Sequence, residues 1–139
     1  MPRSFANMPR ACAISSSVIA PSSSASIAAT TGATVEAAEL DVTETASLVA
    51  VAERAVAAGG LHIWVNNAGI EGEFQGIGDL SEEAWDRVLD INLKGTFLCL
   101  KYEARSMLEA GNGGAIVNVG SVNSFLGFAG GAAYVASKH

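Results

Sequence analysis

The sequence predicts an α/β chain built on a parallel sheet. Two observations carry this. Residues 61–65 and 115–119 are short, mainly apolar runs, each with one polar residue (His62, Asn118), as expected of buried strands. Residues 44–58 and 81–109 carry apolar side chains at helical spacing. Strands that alternate with helices favour parallel pairing, because parallel neighbours need a long crossover between them.

The 139 residues suit one small domain. Half of them are hydrophobic, which is enough for a core, although aromatics are few. The net charge is −6 and no basic cluster occurs. That argues against nucleic acid and against an anionic membrane surface as partners. No apolar run reaches the roughly 18 residues needed to span a bilayer. Cys12 and Cys99 lack metal or C-x-x-C spacing, and His62 and His139 have no metal-ligand company. No metal is expected, and a reducing, cytoplasmic setting is the default.

Residues 1–35 differ from the rest. They are rich in Ser and Ala, carry Arg3 and Arg10, and contain no acidic residue. Such low complexity cannot bury enough apolar surface to order itself. The expectation is a disordered tail, or one foreign to the rest of the chain through a wrong start, a frame change or an exon error. Two alternatives stand beside it. One is a transit peptide, which would make the location organellar. The other is a divergent nucleotide-binding half.

Residues 36–139 read as one partial domain. A weak strand is expected over 35–42, interrupted by Glu36 and Glu39. Thr43 is a good cap for the helix 44–58, whose apolar stripe is Leu48, Ala52, Ala55 and Val56. Read on its own, Asp41 simply helps to start that helix. Gly59-Gly60 ends it. The strand 61–65 then runs into Asn66-Asn67-Ala68-Gly69, which could be an ordinary loop. Ser81 caps the next helix, with Glu82 and Glu83 in its favourable first turn. That helix continues to about Glu109, and Asn92 is a poor helix former in its middle. A turn at 111–114 leads to the strand 115–119. Ser121 lies just beyond its carboxyl end, the edge at which open α/β sheets bind ligands.

Tyr134 and Lys138 follow in a segment of good helix formers. Positions i and i+4 share a helix face, with roughly 5–6 Å between Cβ atoms. A phenol is a poor base at neutral pH. A neighbouring cation favours the phenolate, which can then exchange protons in both directions. Alone, such a pair is more often a solvated surface pair.

It does not stand alone. Asn66-Asn67-Ala68-Gly69, then Asn92 in N-L-K-G-T-F, then Ser121, then Tyr134-x-x-x-Lys138 occur in register over residues 40–139. The set resembles the short-chain dehydrogenase/reductase family. The resemblance implies a Rossmann-like, doubly wound parallel sheet, here incomplete, and reversible hydride transfer between NAD or NADP and an alcohol or ketone. It implies Tyr134 as general acid/base, with Lys138 lowering its pKa and holding the nicotinamide ribose. Ser121 would hydrogen-bond the substrate oxygen, and Asn92 would bend its helix and hold a water that completes a proton relay. Asp41 would accept from the adenine amino group with Val42 beside it, and the Asn67, Ala68 and Gly69 backbone would lie against the cofactor. The length of the helix at 81–109 suggests packing beyond one core, as in the family's dimers, so a homo-oligomeric parent is implied.

Two departures accompany the resemblance. The family's phosphate loop, T-G-x-x-x-G-x-G, is not found. Thr31-Gly32-Ala33 begins like it, but Glu36 and Ala38 occupy the later glycine positions. Gly72, Gly76 and Gly78 have the literal spacing, but they follow a loop, and Glu71, Glu73 and Asp79 would repel a pyrophosphate. The chain also stops one residue after Lys138. The expectation is therefore an oxidoreductase by family that is inactive as this chain. The alternative is a non-catalytic fragment acting as an interaction or oligomerisation module through its helices at 81–110 and 132–139.

Overall fold

The computed structural model describes residues 12–15, 29–32, 34–111 and 113–139. Three strands form its sheet: β1 (Cys12–Ser15), β2 (Ile63–Asn66) and β3 (Ala115–Asn118). They lie in the order β1-β2-β3 and all pairs are parallel. Ser15 pairs with Asn66, and Asn66 pairs with Asn118, so the three carboxyl ends are level. Helix α1 (Thr45–Ala57) lies in the first crossover. The second crossover carries α2 (Glu82–Leu89), a π-helical turn (Asp90–Lys94) and α3 (Gly95–Ala110). Helix α4 (Ala132–Lys138) follows β3.

β1 lies within residues 1–35, the segment expected to be a disordered or foreign tail. Four of its residues form a strand beside β2. Sequence periodicity could not reveal it, because a four-residue strand is ordered by its ladder partner rather than by its own pattern. Residues 16–28 lie outside the described residues.

The weak strand expected over 35–42 is not formed. Glu36 is exposed and pairs with Arg54 of α1 instead. Leu40 and Val42 still point into the core. Thr43 is not the cap of α1. Glu44 holds that position without a side-chain bond, and the turn before it is closed by Asp41. Asp41 Oδ1 accepts from Thr43 N (2.8 Å) and Thr43 Oγ1 (2.7 Å), and Ser47 Oγ accepts from Asp41 N (2.9 Å). Gly59 and Gly60 end α1 at φ 130° and 112°, values that favour glycine.

One face of the sheet is covered. Ala52 of α1, Leu61, Trp64 of β2 and Met107 of α3 form a buried cluster, with Ile116 of β3 against it. A second cluster joins Val42, Leu48 and Cys99. The opposite face is open among the described residues: Ile63 is 47 % and Val117 48 % exposed. The strand 115–119 was expected to be buried on both faces, and here it is covered on one. Its apolar composition matches a sheet with two covered faces.

The helix expected from Ser81 to about Glu109 is present but divided. Ser81 Oγ accepts from Ala84 N (3.1 Å), as its position predicts. The π turn at Asp90–Lys94 then breaks the regular ladder, with Asn92 buried inside it. Such turns add one residue per repeat and recur at functional sites. Leu93, Phe97 and Leu108 remain largely exposed.

Candidate active site

The site is built where the strands end. Asn66 closes β2 and its side chain is fully engaged. Its Oδ1 accepts from Trp64 Nε1 (2.8 Å). Its Nδ2 donates to Glu103 Oε1 on α3 and to Asn118 Oδ1 on β3, both at 2.9 Å. Buried polar groups must be paired, and one amide here satisfies three partners. The backbone continues the lock, because Val119 N donates to Asn66 O (2.8 Å).

Asn92 performs a similar task one layer away. It is buried in the π turn. Its Oδ1 accepts from Ile70 N (2.8 Å) and its Nδ2 donates to Ile70 O (2.9 Å). The side-chain amide thus pairs with a backbone residue as a strand neighbour would. Nδ2 also donates to Ser137 Oγ on α4 (2.9 Å), and Ser137 Oγ donates to Tyr134 O (2.8 Å). One side chain therefore fixes both the segment after Gly69 and the short helix that carries Tyr134 and Lys138. Thr96 Oγ1 takes the Asn92 carbonyl (2.7 Å).

Tyr134 and Lys138 are half-buried on one face of α4. Lys138 Nζ stands 5.8 Å from the centre of the Tyr134 ring. Among the described residues no carboxylate forms an ion pair with it. A Cβ at Gly69 would lie 3.3 Å from Asn92 Oδ1 and 3.4 Å from Lys138 Nζ, so glycine leaves the room this packing needs. Asn67, Gly69, Ile70, Val119, Gly120, Tyr134 and Lys138 line one cleft of about 230 Å³, with Glu71 at its side.

The other expected site residues fall differently. Ser121 follows Gly120 at the cleft, but its hydroxyl is turned along the chain. It accepts from Asn123 N (3.2 Å) and donates to Asn123 Oδ1 (3.3 Å). Ala68 is half-buried against the Val42 cluster rather than in the cleft. Val42 itself is core. Asp41 is exposed in the turn before α1, and its hydrogen bonds with Thr43, side chain first, hold its carboxyl below the ordinary 3.8. Gly72, Gly76 and Gly78 lie in the loop before α2, whose first turn holds Glu82 and Glu83.

Two residues of this architecture escaped sequence reasoning. Ser137 was hidden among small residues. Glu103 had a visible signal: Cys99, Glu103 and Met107 recur at every fourth position, and all three are buried. An acid on an apolar helical stripe is rare enough to flag a specific partner. Burial pushes its carboxyl above the ordinary 4.5, against the hydrogen bond from Asn66.

Parallel strands joined by helical crossovers, with a cleft at their carboxyl edge, define an open α/β class, and comparison with known proteins narrows it. A family model described as short chain dehydrogenase matches residues 9–139. The chain belongs to that family. It is 47 % identical over 81 residues to cyclohexanol dehydrogenase of Acinetobacter sp. (strain SE19), covering 58 % of this chain and 32 % of that protein. It is 42 % identical over 118 residues to 2-(S)-hydroxypropyl-CoM dehydrogenase 3 of Xanthobacter autotrophicus (strain ATCC BAA-1158 / Py2), covering 83 % and 45 %. The solved structure of NAD+-bound xylitol dehydrogenase superposes with a TM-score of 0.78 at 32 % identity, covering 84 % of this chain and 45 % of that one. The sheet is thus of the Rossmann type. The chain spans less than half the length of each of these proteins. The match from residue 9 takes in β1.

Proposed function

We propose that the cleft is the nicotinamide end of an NAD(P)-dependent oxidoreductase site, acting between an alcohol and a ketone. The observation that carries this is the meeting of Tyr134 and Lys138 with Asn67, Gly69 and Gly120 at the carboxyl edge of the sheet. The nicotinamide would supply or accept the hydride. Tyr134 Oη would give a proton to the carbonyl oxygen or take it from the alcohol. The Lys138 ammonium would hold the ribose hydroxyls. Ser121, after turning from Asn123, would hold the substrate oxygen. Asn92, bonded to Ser137 of α4, would hold a water that links Lys138 to solvent and completes a proton relay. The exposed Val122, Phe125 and Leu126 beyond Ser121 suit a nonpolar substrate.

The residues fit the two ends of a dinucleotide unequally. The nicotinamide-ribose end has small residues and a cation. At the pyrophosphate end β1 would supply the strand, but the sequence contains no glycine before Gly32. Close approach of a pyrophosphate to a strand–helix turn requires glycine there. Asp41 and Val42 would contact adenine only if the turn at 41–44 faces the same edge. The 139 residues by themselves are therefore expected to bind the dinucleotide weakly and to show no measurable turnover. NAD or NADP as cofactor, a homo-oligomeric parent and a cytoplasmic location go with this reading. Among the described residues no helix is long and apolar enough to cross a membrane.

Amide chemical shifts during titration with NADH, NADPH and nicotinamide mononucleotide test the site. Shifts confined to Asn67–Gly69, Val119–Gly120 and α4 are expected, with the mononucleotide nearly matching the dinucleotides. No shifts at millimolar nucleotide, or shifts elsewhere only, would reject the site. Clear turnover abolished by Tyr134→Phe would support the chemistry and reject the expected inactivity. A second reading, an interaction module, draws on the exposed Leu93, Phe97 and Leu108. Sedimentation of the chain as a stable dimer without nucleotide binding would favour it.

A further inference from the structure

Glu103 is the buried acid that the proposed chemistry does not use. It is 1 % exposed, on α3, behind the sheet. Its Oε1 accepts from Asn66 Nδ2, while its Oε2 has no partner among the described residues. A buried acid is costly unless it does something an apolar residue cannot. Its stripe neighbours Cys99 and Met107 are the apolar choices for that face.

The geometry of the strand ends indicates what that is. β2 and β3 each close on an asparagine, Asn66 and Asn118, directly paired in register. Immediately beyond lie Asn67 and Gly69 on one side and Val119 and Gly120 on the other, the two walls of the cleft. Asn66 can bridge to Asn118 only while its amide plane is held in one rotation. Trp64 Nε1 and Glu103 Oε1 hold it there, a donor on its oxygen and an acceptor on its nitrogen. An acceptor is required at position 103, since Asn66 Nδ2 has two protons and Asn118 takes one.

We propose that Glu103 is a positioning residue for the cleft: through the Asn66 side chain it fixes the carboxyl ends of β2 and β3, and with them the spacing of the cleft walls. It touches neither the cleft nor Tyr134. Its value for nucleotide binding rests on the reading of the cleft given above, whereas its effect on the strand ends does not.

Two amides of the same strand pair separate positioning from general stability. Val119 N donates to Asn66 O at the carboxyl end, and Ala115 N donates to His62 O (2.9 Å) at the amino end. In Glu103→Leu, hydrogen exchange at Val119 is expected to speed up about tenfold relative to Ala115, as local opening replaces a lost buried hydrogen bond. Glu103→Gln keeps the acceptor and is expected to restore the wild-type ratio. An unchanged Val119/Ala115 ratio in the leucine variant, or no rescue by glutamine, would overturn the proposal.

Should the leucine variant not fold, the wild-type protein still decides. The Asn66 side-chain amide protons are expected to exchange far more slowly than those of the exposed Asn67, and equal rates would overturn the proposal. Nucleotide titration on the same samples judges the cleft separately. Wild-type protein that does not bind nucleotide rejects the functional reading and leaves the exchange comparison in force.

Discussion

β1 and β2 lie side by side, end level, and would face the same ligand, yet they end differently. β2 runs into Asn67-Ala68-Gly69, with its last residue tied to Trp64, Glu103 and Asn118. β1 runs into Ser16-Ser17-Val18, with no glycine to follow for many residues. The carboxyl edge of a parallel sheet is a place for a ligand, but the edge alone does not make a site. Glycine must let the ligand approach, and polar side chains must hold the strand ends still. β2 has both. The sequence after β1 lacks the first.

The largest way to break the contrast is to empty the core beneath the ordered end. Trp64→Ala removes the largest fully buried side chain and the donor to Asn66. A loss of about 3–5 kcal/mol is expected in urea denaturation, enough to unfold a marginal domain. Asn92→Ala follows, with roughly 2–3 kcal/mol lost because Ile70 and Ser137 are left without their partner. Amide shifts at Ile70 and along α4 should move together in that variant. Independent movement would separate two parts joined here by one side chain.

pH sharpens the comparison. Burial raises the Glu103 carboxyl, so the folded chain holds that proton more tightly than the unfolded one. The stabilisation is full below pH 4.5 and is lost as pH rises through the raised value. Denaturation midpoints measured across this range should fall in the wild type and fall less in Glu103→Gln. Asp41, in the turn before α1, titrates with the opposite sign. Its lowered value means stabilisation present above pH 3.8 and lost as pH falls below it. The exposed position makes this the smallest effect. Asp41→Asn should shift the acid limb of the denaturation curve only slightly, and a large shift would show that the turn matters more than its exposure suggests.

Much of this was legible in the sequence for local reasons. β2 and β3 announce themselves by apolar runs, α2 by Ser81 with its two glutamates, and the end of α1 by paired glycines. Tyr134 and Lys138 share a face because an α-helix repeats every 3.6 residues. Asn66, Asn92, Ser121, Tyr134 and Lys138 also stand out by their order and spacing along the chain.

Tertiary structure decided the rest. Cys12–Ser15 forms a strand because β2 offers a ladder, which no pattern within four residues can encode. Residues 35–42 do not form one, and Asp41 turns to Thr43 instead. Ser121 bonds to its own loop, a rotation that spacing cannot predict. Glu103 was visible only as an acid on an apolar stripe, and its partner lies 37 positions earlier in the chain. Sequence determines which elements exist wherever propensity and periodicity are local. Which polar groups are paired, and which strand ends are held, follows from contacts between distant segments.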